Sequence, residues 1–161
     1  MKKILLFLAL LSCITLQAQV EFDLMPANIQ NYIGKVNREQ FEKIVGDSTD
    51  YEDIGFSGDR FILYNVINFY SKDETTIRCF YRKTDGKLIT VRFSARHYSE
   101  YIKGFKKVKG YINERRNILD YFIPFTGEHR ISCKVQGLGL QMSDINRDED
   151  TALLHYFNAK L

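Results

Sequence analysis

The chain has 161 residues, of which 45% are hydrophobic and 27% charged, and its net charge is +3 at pH 7. It contains 12 Phe and 10 Tyr but no Trp. No low-complexity tract, linker or internal repeat is visible, and a single apolar run near the N-terminus has no successor. These features exclude a disordered chain and a protein with several membrane-spanning helices. The aromatic content favours one strand-rich domain with a Phe/Tyr core.

The N-terminus has the pattern of a secretory signal. Lys2 and Lys3 precede an apolar run over residues 4–11, which is too short to span a bilayer. Ala18 is a small residue at a suitable distance for cleavage. We therefore predict a signal peptide over residues 1–18, with Gln19 as the first residue of the mature protein.

Two alternatives to simple cleavage remain open. The sequence Leu10-Leu11-Ser12-Cys13 resembles the lipobox of bacterial lipoproteins, which would attach the protein to a membrane through Cys13. The segment could also persist as an uncleaved anchor. All three alternatives predict that residues 19–161 form a domain outside the cytoplasm, either periplasmic or secreted, so nucleic acid is not an expected partner.

Charge is unevenly distributed along the chain. Residues 76–116 contain twelve Lys/Arg and three Asp/Glu, residues 19–75 contain five and eleven, and residues 117–161 contain four and six. The basic middle could pair with the acidic ends within the fold. Alternatively, it could present a basic face to an acidic protein, a glycan or a lipid headgroup surface.

The first half of the domain reads as helix followed by strands. Apolar residues recur at helical spacing over residues 26–46, although Asn37 and Gln40 have the spacing of a capping box that would begin a second helix. Residues 46–59 contain three Gly and five acidic residues, which is typical of an exposed loop. Strands are predicted over residues 60–70, 75–83 and 87–96.

The second half begins with a predicted amphipathic helix over residues 97–116. Two strands follow, over residues 118–125 and 130–140, and Pro124 makes the former an edge strand or ends it. Residues 148–161 have acids at the start and Lys160 near the end, as suits a short helix. The predicted fold is α+β: an antiparallel sheet of about five strands with helices mainly on one face, in the order α-β-β-β-α-β-β-α.

No local pattern identifies an enzyme or a cofactor site. "DINRDED" over residues 144–150 resembles an EF-hand loop, but Glu149 replaces its glycine and His155 replaces its final glutamate. The three histidines lack the spacing of a zinc site. Asp47-Ser48-Thr49 and Asp150-Thr151-Ala152 match a short glycosylation pattern that arises readily by chance. We predict no catalytic residues, no metal and no cofactor.

Cys79 and Cys133 would be the two cysteines of the mature protein. Both fall on the apolar side of their predicted strands, and an oxidising compartment favours a disulfide. The alternative is two separately buried thiols.

The hairpin around Asp85-Gly86 predicts where basic side chains meet. A two-residue loop would place Arg78 and Arg82 on the apolar face. A three-residue loop over residues 84–86 avoids this and places Gly86 in a left-handed conformation. In that register the apolar pairs are Tyr81 with Ile89, Cys79 with Val91 and Ile77 with Phe93.

The same register predicts a basic face on the other side of the hairpin. Arg78 lies opposite Arg92, with Arg82 and Arg96 near them. An acid from the 47–59 segment or from the last element could neutralise these arginines, as could an external anionic partner. We therefore expect a non-enzymatic binding or inhibitory module with Arg78, Arg82, Arg92 and Arg96 as binding residues. The alternative is a small exported hydrolase whose residues converge only in the fold.

Overall fold

A computed structural model describes the chain at residues 22–45, 50–58, 63–70, 75–96, 98–114, 118–123, 128–143 and 151–158. Its helices are α1 (Pro26–Ile29), α2 (Arg38–Val45) and α3 (Ile102–Asn113). Its strands are β1 (Asp50–Gly58), β2 (Leu63–Tyr70), β3 (Thr76–Arg82), β4 (Leu88–Arg96), β5 (Leu119–Ile123), β6 (Glu128–Val135), β7 (Leu138–Ser143) and β8 (Thr151–Asn158).

The strands form one antiparallel sheet in the order β1-β2-β3-β4-β8-β7-β6-β5. Each half of the chain is therefore a helical segment followed by a four-stranded meander, and the halves join where β4 pairs with β8. This order is symmetric about the β4–β8 seam, so the two meanders have the same strand topology. The α+β class is confirmed, and a structural repeat exists that the sequence does not display.

The helices pack on one face of the sheet and form the core with it. The buried cluster combines Phe41 of α2 and Phe105 of α3 with the apolar side chains of both meanders. The segment before α1 belongs to this core, since the rings of Phe22 and Phe93 lie 5.9 Å apart. The hydroxyl of Tyr156, on β8, donates to the carbonyl of Leu24 at 2.7 Å. The first described residues are therefore tied to the last strand.

The first helical segment divides where the capping box predicted. The Asn37 backbone N–H donates to the Gln40 side chain, and the Gln40 N–H donates to the Asn37 side chain, both at 2.9 Å. Gly34 has a φ of +78°, which interrupts the helical backbone before α2. The continuous helix predicted over residues 26–46 is therefore wrong, and the two-helix alternative is confirmed.

The strand count and the element order predicted from the sequence are wrong at three places. The acidic segment predicted as a loop contains β1, which pairs with β2 along its length. Gly55 is one of the glycines that favoured a loop in the sequence. A bulge between Asp53 and Phe56 accommodates it at a φ of +76°.

The second place is the single strand predicted over residues 130–140, which is a hairpin. Val135 pairs with Leu138 across a two-residue loop of Gln136 and Gly137, whose φ angles are +49° and +79°. Positive φ at both positions is the type I′ geometry that suits the twist of a hairpin. The apolar residues on both sides of Gly137 concealed this turn.

The third place is the predicted C-terminal helix, which contains β8 instead. Alternate residues along it, Ala152, Leu154 and Tyr156, are fully buried in the core. Its neighbours are β4 and β7, so it is one of the two central strands of the sheet. Tertiary pairing on both edges overrides the helix preference of this short segment.

The β3–β4 register agrees with the three-residue loop except beside the turn. Ile77 pairs with Phe93, Arg78 with Arg92 and Cys79 with Val91. The loop is one residue longer than predicted, because Arg82 and Lys87 close it with a 2.9 Å hydrogen bond. An irregularity then pairs Tyr81 with Leu88, so Ile89 is the additional residue that restores the register. Gly86 has a φ of +68°, and its left-handed conformation is confirmed.

The disulfide predicted between Cys79 and Cys133 is absent, and both residues are buried thiols. Cys79 lies on β3 and Cys133 on β6, with three strands between them. Four interstrand steps separate these strands by roughly 19 Å, well beyond the reach of a disulfide. Both side chains face the core as the parity predicted, but parity does not determine strand order. Burial raises the pKa of the Cys79 thiol, which makes it a poor nucleophile.

Candidate functional site: the open face of the sheet

The face of the sheet opposite the helices carries a row of polar side chains. We call this surface the open face. Paired positions cross all eight strands in one line: Glu52, Asn68, Arg78, Arg92, His155, Gln141, Ser132 and Leu119. Arg92 and His155 lie at the centre, where β4 meets β8.

An apolar row runs beside the polar one. Its members are Val66, Phe80, Thr90, Phe157 and Gly139, again paired from strand to strand. Val66 is almost fully buried, although it does not belong to the core beneath the helices. The side chains of the open face therefore cover one another, which makes this surface more ordered than a row of solvated side chains.

Arg78 is held by neighbours within the sheet. Its Nε donates to the Asn68 side chain at 2.8 Å. The Asn68 amide reaches a Glu52 carboxylate oxygen at 3.4 Å, and the Tyr70 hydroxyl donates to the same oxygen at 2.8 Å. Glu52 comes from the 47–59 segment, so this part of the internal neutralisation expected from the sequence is present. It reaches Arg78 through Asn68.

Arg92 has a different environment. The residues directly opposite it on its two neighbouring strands are Arg78 and His155. A like charge at a directly opposed position is destabilising. The last element of the chain brings a histidine to this position, whereas an acid from that element was one of the alternatives that the sequence left open.

His155 is the residue whose ionisation the site changes most clearly. Burial, together with the positive charges of Arg92 and Arg130, lowers its pKa to about 4. Its Nε2 atom is buried and has no hydrogen-bond partner among the described residues. Buried polar atoms are almost always paired, so this Nε2 is an exception among the described residues.

A glycine of β7 shapes the open face beside His155. The ring of Phe157 lies over Gly139, directly across the β7–β8 pair, in space that a β-carbon would occupy. The same ring packs on the His155 ring, with centroids 5.3 Å apart. Gly139 therefore lets Phe157 lie flat against the sheet and support the imidazole.

The four arginines predicted as binding residues do not form one cluster. Arg78 and Arg92 are brought together. Arg82 lies at the hairpin end of β3, where it forms a 2.5 Å ion pair with Asp85. Arg96 lies at the opposite end of β4 and donates to the Tyr98 hydroxyl at 3.1 Å. The structure places only the first two in the central row.

The sequence did not identify His155, Gln141 or Asn68 as site residues. His155 was hidden because residues 148–161 have a helical charge pattern. The only available signal was alternation along the segment, since Ala152, Leu154 and Tyr156 share one parity and His155 has the other. That pattern, considered as a strand, would have placed His155 on a polar face.

A second basic surface lies on the helix side. Lys103, Lys106 and Lys107 of α3 are exposed. A shallow groove of about 190 Å³ lies between α3 and the segment before α1, and it is lined by Phe22, Asp23, Leu24, Lys103, Gly104 and Lys107. These lysine side chains have flexible aliphatic chains and solvated ammonium groups, as is usual on the surface of a helix.

Two observations within the described residues bear on the hydrolase alternative, which stays a hypothesis. The groove beside α3 contains no histidine, and the charges acting on His155 come from arginines. Within the described ranges, no group of three or more His, Cys, Asp or Glu could hold a metal ion. The possible calcium loop and the first glycosylation pattern lie outside the described residues, as does Asp150 of the second.

The signal segment and the Cys13 lipobox also lie outside the described residues, so export stays a prediction. Among the helices that the structure describes, none is long and apolar enough to cross a membrane.

Comparison with known proteins adds no family to this description. No protein-family model matches the chain, and neither does a curated protein or a solved structure. Function must therefore be argued from the open face itself.

Proposed function

We propose that this chain is an exported binding module that holds an acidic protein partner on the open face of its sheet. The observation that carries the proposal is the centre of the polar row, where Arg78, Arg92 and His155 occupy successive opposed positions. An anionic group from outside would offset the unfavourable proximity of the arginines.

The composition of the open face favours a protein over a glycan or a lipid headgroup. The apolar row places Phe80 and Phe157 beside the arginines, and the rings of Tyr64 and Phe80 meet edge to face at 5.9 Å. Aromatic residues together with arginine are enriched in protein interfaces, whereas lysine is depleted. The lysines of α3 therefore make the weaker candidate surface.

The paired substitution Arg78→Gln with Arg92→Gln tests this proposal. We expect the folded double variant to lose capture of the partner from the envelope fraction, together with the salt sensitivity of that capture. Stability should change little, because the removal of opposed like charges offsets the loss of the Arg78–Asn68 hydrogen bond. The matched control is Lys106→Gln with Lys107→Gln, which removes the same charge from the helix side and should leave capture unchanged.

The opposite pattern would refute the proposal. If the arginines serve only the fold, the Arg78/Arg92 variant will be less stable and will still capture the partner. Loss of capture in the Lys106/Lys107 control would assign binding to the helix side.

Export is the other part of the proposal and has its own measurement. The intact mass of the native protein should correspond to a chain that begins at Gln19. A mass that shows an acylated Cys13 would instead place the module on a membrane surface.

A further inference from the structure

The two longer helices pack on the same face of the sheet but differ in surface charge. On α2, Arg38 pairs with Glu42 and Lys43 pairs with Glu39, both at 2.8 Å. These i,i+4 pairs neutralise α2 within itself. By contrast, α3 contains four lysines and no acidic residue. Among the described helices, the excess positive charge of the helix side therefore lies on α3.

Three of these lysines form one stripe along α3. Lys103, Lys106 and Lys107 are exposed and recur at the i, i+3, i+4 spacing that places side chains on one side of a helix. We call these three residues the lysine stripe. The buried side of α3 faces the core, so the lysine stripe points away from the sheet. The lysine stripe and the open face therefore lie on opposite sides of the molecule.

The described part of the chain begins beside the lysine stripe. Phe22 lines the same shallow groove as Lys103 and Lys107. Residues 1–21, which contain the predicted export segment, are attached to the domain at this point. A fully extended chain spans at most about 30 Å between Cys13 and Phe22. A membrane that holds the export segment, either before cleavage or through Cys13, would therefore lie close to this side of the domain.

We infer that the lysine stripe is a docking surface for an anionic lipid bilayer, and that docking leaves the open face directed away from the membrane. The inference concerns a different surface from the proposed binding site and goes beyond the proposed function. Lysine suits phospholipid headgroups because its ammonium is a compact charge on a flexible chain, whereas protein interfaces are depleted in lysine. Gly110, which follows on the same side of α3, adds no side chain that could anchor a protein partner.

The number of lysines determines the expected strength of docking. Each lysine near an anionic membrane contributes a factor of about five to binding, so three lysines contribute about a hundredfold. This is too weak to hold a free domain on a membrane permanently, but it is enough to orient a domain that is tethered there. Because salt screens the surface potential of the membrane, docking should weaken as the ionic strength rises.

Sedimentation of the mature protein with lipid vesicles at low salt tests this inference. Phosphatidylglycerol vesicles supply an anionic surface and phosphatidylcholine vesicles a neutral one. We expect preferential binding to the anionic vesicles, with an affinity that falls about 25-fold in the variant Lys106→Gln with Lys107→Gln. This variant should fold normally, because both positions are exposed and Gln has nearly the helix propensity of Lys. Replacing the same two lysines with Arg keeps the charge and should preserve binding.

A matched control removes two exposed lysines from other parts of the domain. The variant Lys35→Gln with Lys134→Gln should bind the anionic vesicles nearly as the wild type does. Equal binding of the wild type to both kinds of vesicle, or no binding to either, would overturn the inference. So would an unchanged affinity in the Lys106/Lys107 variant, or full competition by free glycerol phosphate, which would indicate a site for a soluble anion. None of these results bears on capture of a protein partner by the open face, which has its own test.

Discussion

The two halves of the sheet have the same topology, yet their open faces carry different chemistry. On the N-terminal meander two arginines have partners within that half, Arg78 in Asn68 and Arg82 in Asp85. On the C-terminal meander the row continues through neutral Gln141, beside His155, whose Nε2 has no hydrogen-bond partner among the described residues. The difference is greatest where β4 meets β8. A symmetric strand order thus supports an asymmetric surface, and the seam between its halves is where we propose the binding site.

The largest expected effect tests whether the halves form one folding unit. Phe41, on a helix of the first half of the chain, and Phe105, on the helix of the second half, are fully buried in one core. Replacing either with Ala should lower the free energy of unfolding by about 3–5 kcal/mol, with a single transition in urea for both variants. Two separate transitions, or a loss confined to one half in hydrogen exchange, would show that the seam joins independent units.

A smaller expected effect, on the pH dependence of the free energy of unfolding, tests the asymmetry at His155. Its pKa is about 4 when folded and about 6.5 in an unfolded chain, so the unfolded state binds more protons between these values. The stabilisation that depends on neutral His155 is complete above about pH 6.5 and is lost as the pH falls toward 4, up to about 3 kcal/mol.

Denaturant titrations of wild type and His155→Gln across this range provide the measurement. The difference between the two proteins should depend on pH in this window. His129→Gln serves as the control for removing a histidine. A constant difference between wild type and His155→Gln would mean that the pKa of this imidazole is the same in the folded and the unfolded chain.

The smallest expected effect is a loss of stability when the turn glycine of the β3–β4 or the β6–β7 hairpin is replaced with Ala. Gly86 and Gly137 both have positive φ, and a β-carbon at either position would meet nothing within 4 Å. The cost of Ala is therefore set by the backbone alone, at about 1 kcal/mol for each. Thermal unfolding should show similar losses for both variants. A much larger loss at Gly137 would indicate that the tight β6–β7 turn guides pairing in the C-terminal half.

The sequence predicted the N-terminal half better than the C-terminal half, for a physical reason. In β3 and β4 the apolar and polar residues alternate cleanly, and burying an arginine would cost so much that only one register is acceptable. That reasoning placed Arg78 opposite Arg92 correctly. In β6 and β7 apolar residues flank the turn on both sides, so periodicity shows no boundary at Gly137.

The rest of the site could not be obtained from local patterns. Partners across the β4–β8 seam are far apart in the chain, and the pairing of Arg92 with His155 depends on strand order. Strand order also excludes the disulfide, because Cys79 and Cys133 share the core face but lie on separated strands. Identifying His155 required treating the last segment as a strand, and its end charges favoured a helix.

The central claim, that an acidic partner binds at the seam of the open face, is tested most directly by mapping the contact. Amide and imidazole signals of the mature protein can be followed by NMR during titration with an oligo-aspartate peptide, a simple acidic ligand, at low salt. We expect the largest changes at Arg78, Arg92, Gln141 and His155, with those of α3 nearly constant. Changes concentrated at Lys103, Lys106 and Lys107 would contradict the account and assign the binding surface to the helix side.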